Sequence, residues 1–289
     1  MNAVNNVEVN AGIAASSGSL TLRADDMAIG GTATNSTGSG TPSGNGTVAV
    51  NSGGSLSVGG TLDIYYNPTK YTTPTNYTNS GTGTTHAFML LSSPADLEYV
   101  DADQTTSGIL SANYALNANL ALGAYSWIPF GNATTSYSGI FNGQGYLVSG
   151  YTVTATANDA GFFGSSSGTI ENLGVSGSVS GAGFNNIGGV VGYNTGTVEY
   201  SYNAGAVTGG TAGSGLAGGV VGGIAGDNTG TVEYSYNTGA VTGGAGGTGV
   251  AATGTNGSGG NGGNGGSAGG IAGSNAGTVR ETDLEPGVL

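Results

Sequence analysis

A catalytic reading of this sequence has few residues to stand on. His86 is the single histidine, set just after GTGTT, and a Ser-His-Asp arrangement would need it. The expectation is a solvated loop side chain. Paired carboxylates of the kind that hydrolyse glycosidic bonds would have to come from Asp101, Asp103 and Asp159, or from Asp25 and Asp26. The basic partners suited to acidic sugars are scarce, because Arg23, Lys70 and Arg280 are the only ones. A polysaccharide-degrading enzyme is therefore the alternative function, and the expectation is no catalytic residue, no metal site and no cofactor. A column of charge is more informative. Glu171, Glu199 and Glu233 recur at equal places in repeated segments, with Arg280 at the fourth. Carboxylates about 5 Å apart repel by roughly 1 kcal/mol in water and by more near protein. Such a column suits a bound cation or a shared proton with raised carboxyl pKa values. The plainer expectation is that the side chains splay into solvent and Arg280 neutralises the last.

Composition bounds the elements that must position these groups. Among 289 residues there are 62 glycines, with 7% charged and 37% hydrophobic residues. That much glycine suggests low complexity, yet disorder needs fewer hydrophobic residues and more charge. Sixteen acidic against three basic residues give a formal charge of −13, which disfavours nucleic acid and anionic membranes as partners. There is no cysteine, so disulfides and thiolate metal sites are excluded. No apolar run approaches the roughly 18 residues that cross a bilayer, and no membrane insertion is expected. The opening MNAVNNVEVN lacks the basic and apolar parts of a signal peptide. The expectation is a natural start upstream, or a Met1 that is an added start.

Self-similarity decides the architecture. TGTVEYSYNAGAVTGG at 195–210 returns as TGTVEYSYNTGAVTGG at 229–244. Two anchors define the unit, a G-apolar-x-G block and then G-T-[Ile/Val]. They occur as GFFG with GTI, GVVG with GTV, and twice as GIAG with GTV, starting at Gly161, Gly189, Gly223 and Gly270. The steps are 28, 34 and 47 residues, while the first glycine of each block always precedes GT[I/V] by seven. All extra length thus enters at one place, after V-[ST]-G, as in a stacked solenoid whose insertions sit on one corner. The segments GVVG, TVEYSY and GAVTG have strand length and strand composition between Gly/Asn turns. They predict a right-handed parallel β-helix with about three strands per coil.

In such a fold each coil lies about 4.8 Å above the last. Tyr200 then stacks on Tyr234, Tyr202 on Tyr236, and Thr197 on Thr231, while Asn194 lies between Ser166 and Asn228, with Asn275 beyond. In TIENLGV a bend near Asn172 buries both Ile170 and Leu173, and the same bend at Tyr200 turns the tyrosines outward. The loop 243–269 places Gly254, Gly257, Gly260, Gly263, Gly266 and Gly269 at every third residue. That period suits polyproline-II helices, which pack closely where only hydrogen fits; the alternative is a flexible linker. The expectation is an ordered loop packed on its own coils or on a neighbouring molecule. The loop lacks the Asp that calcium-binding β-roll repeats require.

The rest of the chain is more degenerate. VEVNAGI, SLTLRA, GTVAV and SLSVGGTLDIYY alternate apolar with polar residues up to Tyr66, and 67–85 reads as a polar loop with two prolines. SSPADLEYV at 92–100 is the one helical stretch, with Ser before Pro94 and early acidic residues. A strand pair follows at 112–122. The expectation is a single elongated solenoid over 1–289, with 86–158 as helix-containing transition coils and 159–289 as the repeats, broken by Gly-rich loops at 210–222 and 243–269.

With these residues laid out, the chain resembles the passenger of a bacterial two-partner-secreted, filamentous-haemagglutinin-like adhesin. Gly189-Val190-Val191-Gly192 through Gly209, and again Gly223 through Gly243, are similar to the GLUG motif. The block 96–153 resembles the stretch that often precedes those motifs, and 19–31 resembles the haemagglutinin-type repeats, so that 1–66 is expected to form haemagglutinin-like coils. The family's N-terminal secretion domain and any protease domain are not evident. The resemblance implies a secreted, cell-surface adhesive β-solenoid. Its expected partners are protein or glycan on a cell surface or matrix, and an outer-membrane transporter during secretion. A rigid rod with open ends also suggests end-to-end assembly into a homopolymer. An ice or mineral face would need Thr-x-Thr, and each strand offers a single Thr.

Overall fold

The computed structural model describes residues 1, 3, 6–24, 46–72, 74–106, 108–155, 158–181, 183, 186–249 and 261–280. Among the described residues the fold is an all-β parallel solenoid carrying one short α-helix, and every strand pairing is parallel. Contacts group the chain into two compact units, one of Met1–Leu120 with Ile140–Gln144 and one of Ala121–Gly139 with Gly145–Leu289.

In the first unit, strands Leu20–Arg23, Leu62–Tyr66, Thr85–Leu91, Asn113–Leu116 and Ile140–Asn142 pair in that order. Alternation sends one side chain to each face of the sheet in turn. Tyr66, Met89, Tyr114 and Phe141 occupy successive register positions, all buried. From the other face Tyr65 stacks on Phe88 at 4.8 Å between centroids, with the Arg23 guanidinium 4.8 Å above the Tyr65 ring. The helix is Pro94–Ala102, two residues later than the sequence placed it. Ser93 caps it, its hydroxyl accepting the Asp96 N–H while the Asp96 carboxylate accepts the Ser93 N–H, a reciprocal box that closes the first turn. Leu97 and Val100 bury its inner side. The stretch read as a polar loop ends where Thr85 begins a strand, so His86 is a strand residue rather than a loop one. Tyrosines anchor that loop: Tyr71 is fully buried and donates to the Leu90 carbonyl at 2.7 Å.

The second unit contains the repeats, which start on an aromatic layer. Trp127 lies flat on Phe162 at 4.5 Å and 7°, its Nε1–H donating to the Phe162 carbonyl, with Phe130, Tyr137, Tyr151 and Phe163 packed around them. Above this layer each coil repeats the same short strands. Thr169–Glu171, Thr197–Glu199, Thr231–Glu233 and Thr278–Arg280 stack with identical residues in register at the Thr position. Phe163–Ser166, Val191–Asn194, Ala225–Asn228 and Ala272–Asn275 form a second ladder. Gly174–Ser180 stacks under Tyr202–Asn203 with Tyr236–Asn237, and under Val207–Thr208 with Val241–Thr242. The expected three strands per coil gain a fourth ladder of two-residue strands, Ile187–Gly188, Val221–Gly222 and Ala268–Gly269. These form where the chain re-enters the stack after its insertion.

Glycine in GT[I/V] is dictated by proximity. A Cβ on Gly196 would meet the Gly168 carbonyl oxygen at 2.0 Å, and one on Gly230 would meet that of Gly196 at 2.1 Å. The insertions also obey one rule. All leave between Val-[Ser/Thr]-Gly and the re-entry strand, and they pair with each other. Gly209, Ala212 and Gly215 donate to the carbonyls of Thr242, Ala245 and Thr248, so both segments advance three residues per bond. Gly263 and Gly266 donate to Gly247 and Gly244 with the opposite polarity. Three residues per turn is the polyproline-II period. Gly263 and Gly266 lie in this packed corner, where a Cβ on Gly263 would come within 1.7 Å of the Leu216 oxygen. Gly269 is in the re-entry ladder, and Gly254, Gly257 and Gly260 lie outside the described residues.

Candidate functional site

The side chains that could engage a partner stand on the strand after each GT[I/V] corner. In Thr197–Glu199 the valine points into the core, fully buried, while threonine and glutamate point out. Alternation would next send residue 200 inward. Instead Tyr200 and Tyr234 adopt the left-handed region with φ of 47°, as Asn172 does at 52°. That region costs an L-residue other than glycine or asparagine roughly 1–2 kcal/mol. It turns the chain so that glutamate and tyrosine both face outward, and it returns Ser201 to the interior.

The outward columns are ordered. The Tyr200 and Tyr234 rings stack at 4.8 Å and 5°, and those of Tyr202 and Tyr236 at 5.2 Å and 7°. Tyr200 is 47% exposed, and the other three are half-buried. The lower pair has a floor: the Tyr202 ring lies over Gly174, where a Cβ would meet the ring at 2.4 Å. Burial, and then the neighbouring Tyr236, raise the Tyr202 phenol above its ordinary pKa. Glu171, Glu199 and Glu233 are in register, with Arg280 next to Glu233. Partial burial, and then the charge of Glu233, raise the Glu199 carboxyl. Among the described residues no group of three or more acidic, His or Cys side chains is arranged to hold a metal ion.

Inside the coils are further columns, and the sequence reading missed two of them, Asn203–Asn237 and Ser201–Ser235. Asn194, Asn228 and Asn275 form one amide ladder, with each Nδ2 donating to the next Oδ1 at 2.7 and 2.8 Å. A parallel ladder joins Asn203 to Asn237 at 2.8 Å. Asn203 receives the N–H of Gly205 on its Oδ1 and donates to the Gly205 carbonyl, and Asn194 treats Gly196 in the same way. Ser201 and Ser235 add a hydroxyl column, the Ser235 oxygen accepting the Ser201 N–H at 3.1 Å. The signal was legible: every ladder asparagine stands in N-x-G.

Three of the candidate carboxylates have a hydrogen-bond partner among the described residues. Asp101 accepts from Gln104, Asp103 accepts from the Thr106 hydroxyl, and Asp159 accepts from Asn186. Asp101 and Asp103 belong to the first unit and Asp159 to the second. Asp25 and Asp26 lie outside the described residues. His86 does have a carboxylate partner, with its Nδ1 3.1 Å from Asp63 on the neighbouring strand. Lys70 is exposed and Arg23 is buried, its guanidinium donating to Asn117 and Gln144.

No family model matches the chain, and no solved structure matches it. Part of the chain is similar to Halomucin of Haloquadratum walsbyi (strain DSM 16790 / HBSQ001), 33% identical over 153 residues. The match covers 48% of this chain and spans about 2% of that protein's length.

Proposed function

We propose that this chain is a structural and adhesive segment of an extracellular, cell-surface protein, displaying its outward ladders to protein or glycan. One observation carries the reading: the paired tyrosine columns Tyr200–Tyr234 and Tyr202–Tyr236, ordered on the outside of hydrogen-bonded coils beside a line of carboxylates. Aromatic faces with a hydroxyl at one end suit contact with sugars and with protein surfaces. A rigid backbone lowers the ordering cost of that contact. Of the carboxylates that would serve a hydrolase, Asp101 and Asp103 accept from residues three positions on and Asp159 accepts from Asn186, which supports a non-enzymatic role.

The partial likeness to Halomucin is in keeping with an extracellular, cell-surface setting. The finer reading, a haemagglutinin-type exoprotein with GLUG-like repeats exported through an outer-membrane transporter, rests on the repeat residues at 189–209 and 223–243. Arrays of glycans and matrix proteins test the adhesive role. Binding should weaken at least tenfold in a Tyr200→Ser, Tyr202→Ser, Tyr234→Ser, Tyr236→Ser variant that keeps its β-sheet circular dichroism. Equal binding by that variant, or no binding by the parent chain, removes the reading.

A further inference from the structure

The two tyrosine pairs have a chemistry that binding does not use. Each pair joins successive coils, with rings nearly parallel and centroids 4.8 and 5.2 Å apart. Other close tyrosines are arranged differently: Tyr66 meets Tyr77 edge-on at 75°, and Tyr71 and Tyr114 are buried and tilted. The backbone holds the outward pairs together, because Val198–Val232 and Glu199–Glu233 are in register and the Tyr200 N–H donates to the Glu233 carbonyl at 3.3 Å. Tyr200 is open to a solvent-borne oxidant. With no cysteine in the chain, a covalent tie between coils must use other side chains.

We propose that Tyr200 with Tyr234, and Tyr202 with Tyr236, are sites of oxidative tyrosine–tyrosine coupling that staples adjacent coils. The oxidant class is a haem peroxidase with hydrogen peroxide. Each phenol loses one electron to the oxidant and one proton to water, giving a phenoxyl radical with spin density on the ring carbons beside the C–O bond. Rotation about Cβ–Cγ brings those carbons together, and the two radicals form one carbon–carbon bond. Each joined carbon then loses its hydrogen as a proton while each oxygen regains one. Per bond the protein loses two hydrogen atoms, and the peroxide that takes them becomes two waters. This proposal does not rest on the adhesive reading.

Peptide chemistry makes the test specific. Cleavage after Glu199, Glu233 and Glu281 releases peptides 200–233 and 234–281, whose only tyrosines are the four named. The full chain, dilute, is treated with peroxidase and hydrogen peroxide, separated as monomer, unfolded, digested with glutamyl endopeptidase and weighed by mass spectrometry. The expected product is the two peptides joined, lighter than their sum by two hydrogens per bond, with dityrosine fluorescence. Tyr200→Phe with Tyr202→Phe keeps the stacked rings and should abolish the joined species. Separate peptides carrying only singly oxidised tyrosine would overturn the proposal. So would joining confined to protein dimers, or joining that survives the double Phe variant.

Discussion

The first unit and the repeat coils of the second are both parallel solenoid, yet they are held by different means. In the first unit the residues that succeed one another in register mostly differ, as in Arg23–Tyr65–Phe88 or Tyr66–Met89–Tyr114–Phe141. Large side chains fill both faces of the sheet, each contributing roughly 1.5–3 kcal/mol by burial. In the repeats whole columns keep one residue, Thr over Thr and Asn over Asn. The core there shrinks from Phe162 and Phe163 to Ile224 and Ala225, so less apolar area holds each coil. Amide ladders and glycine corners make up the difference. Volume specifies one region, and close backbone approach with polar satisfaction specifies the other.

That contrast can be broken by substitution. The largest effect is expected from Gly230→Val, whose Cβ would sit 2.1 Å from the Gly196 carbonyl. A loss above about 4 kcal/mol is expected, in the exceptional class, seen as melting of the repeats at ambient temperature. A glycine-to-valine change at Gly145, which has open space around its Cβ but a φ of 78°, should cost less. Next is Phe88→Ala in the first unit, where removing a buried ring costs about 3–5 kcal/mol, measured by chemical denaturation. Asn194→Ala removes the donor to the buried Asn228 amide oxygen and leaves the Gly196 N–H only its longer bond to the Ser166 carbonyl, at roughly 1–3 kcal/mol for a buried group left unsatisfied. Hydrogen exchange should then quicken at Gly196 while the first unit is unchanged.

The smallest effects concern charge and backbone strain. Glu199 has its carboxyl pKa raised in the fold, so the native state holds that proton more tightly than the unfolded chain. Its unfavourable contribution is full at pH above the native value. It fades as pH falls through that value towards the ordinary one near 4.5. Glu199→Gln should therefore raise the melting temperature at neutral pH, with the gain vanishing on acidification. A gain that grew on acidification would refute the account. Tyr200→Asn relieves left-handed strain of about 1 kcal/mol but gives up the stack on Tyr234, so a near-neutral thermal shift is expected.

The repeats were legible in the sequence because a solenoid writes register as period: identical words at 34 residues place Val198 against Val232 with no knowledge of the backbone. The corner that takes the insertions was legible for the same reason. The inner columns Asn203–Asn237 and Ser201–Ser235 were missed despite the N-x-G spacing of the asparagines, because alternation from Val198 gives the wrong face after Glu199. The left-handed residue at Tyr200 resets the count and sends Ser201 and Asn203 inward. His86 was misplaced because a strand beginning at Thr85 follows a polar run with no boundary signal except the end of its glycines. In the first unit the register of Tyr65 on Phe88 depends on side-chain volume, which has no period to read.

The asparagine columns have a further consequence. Because the Oδ1 of Asn194 and that of Asn203 each receive the N–H of the glycine two residues on, neither amide can flip, and each nitrogen must point to the following coil. Both columns therefore run as arrows of the same sense, with their bond dipoles adding. Within these coils an aspartate in place of Asn228 would still accept from Asn194 but would set an oxygen where a nitrogen faced the Asn275 oxygen, so the stack reads amide and acid as different letters at one address.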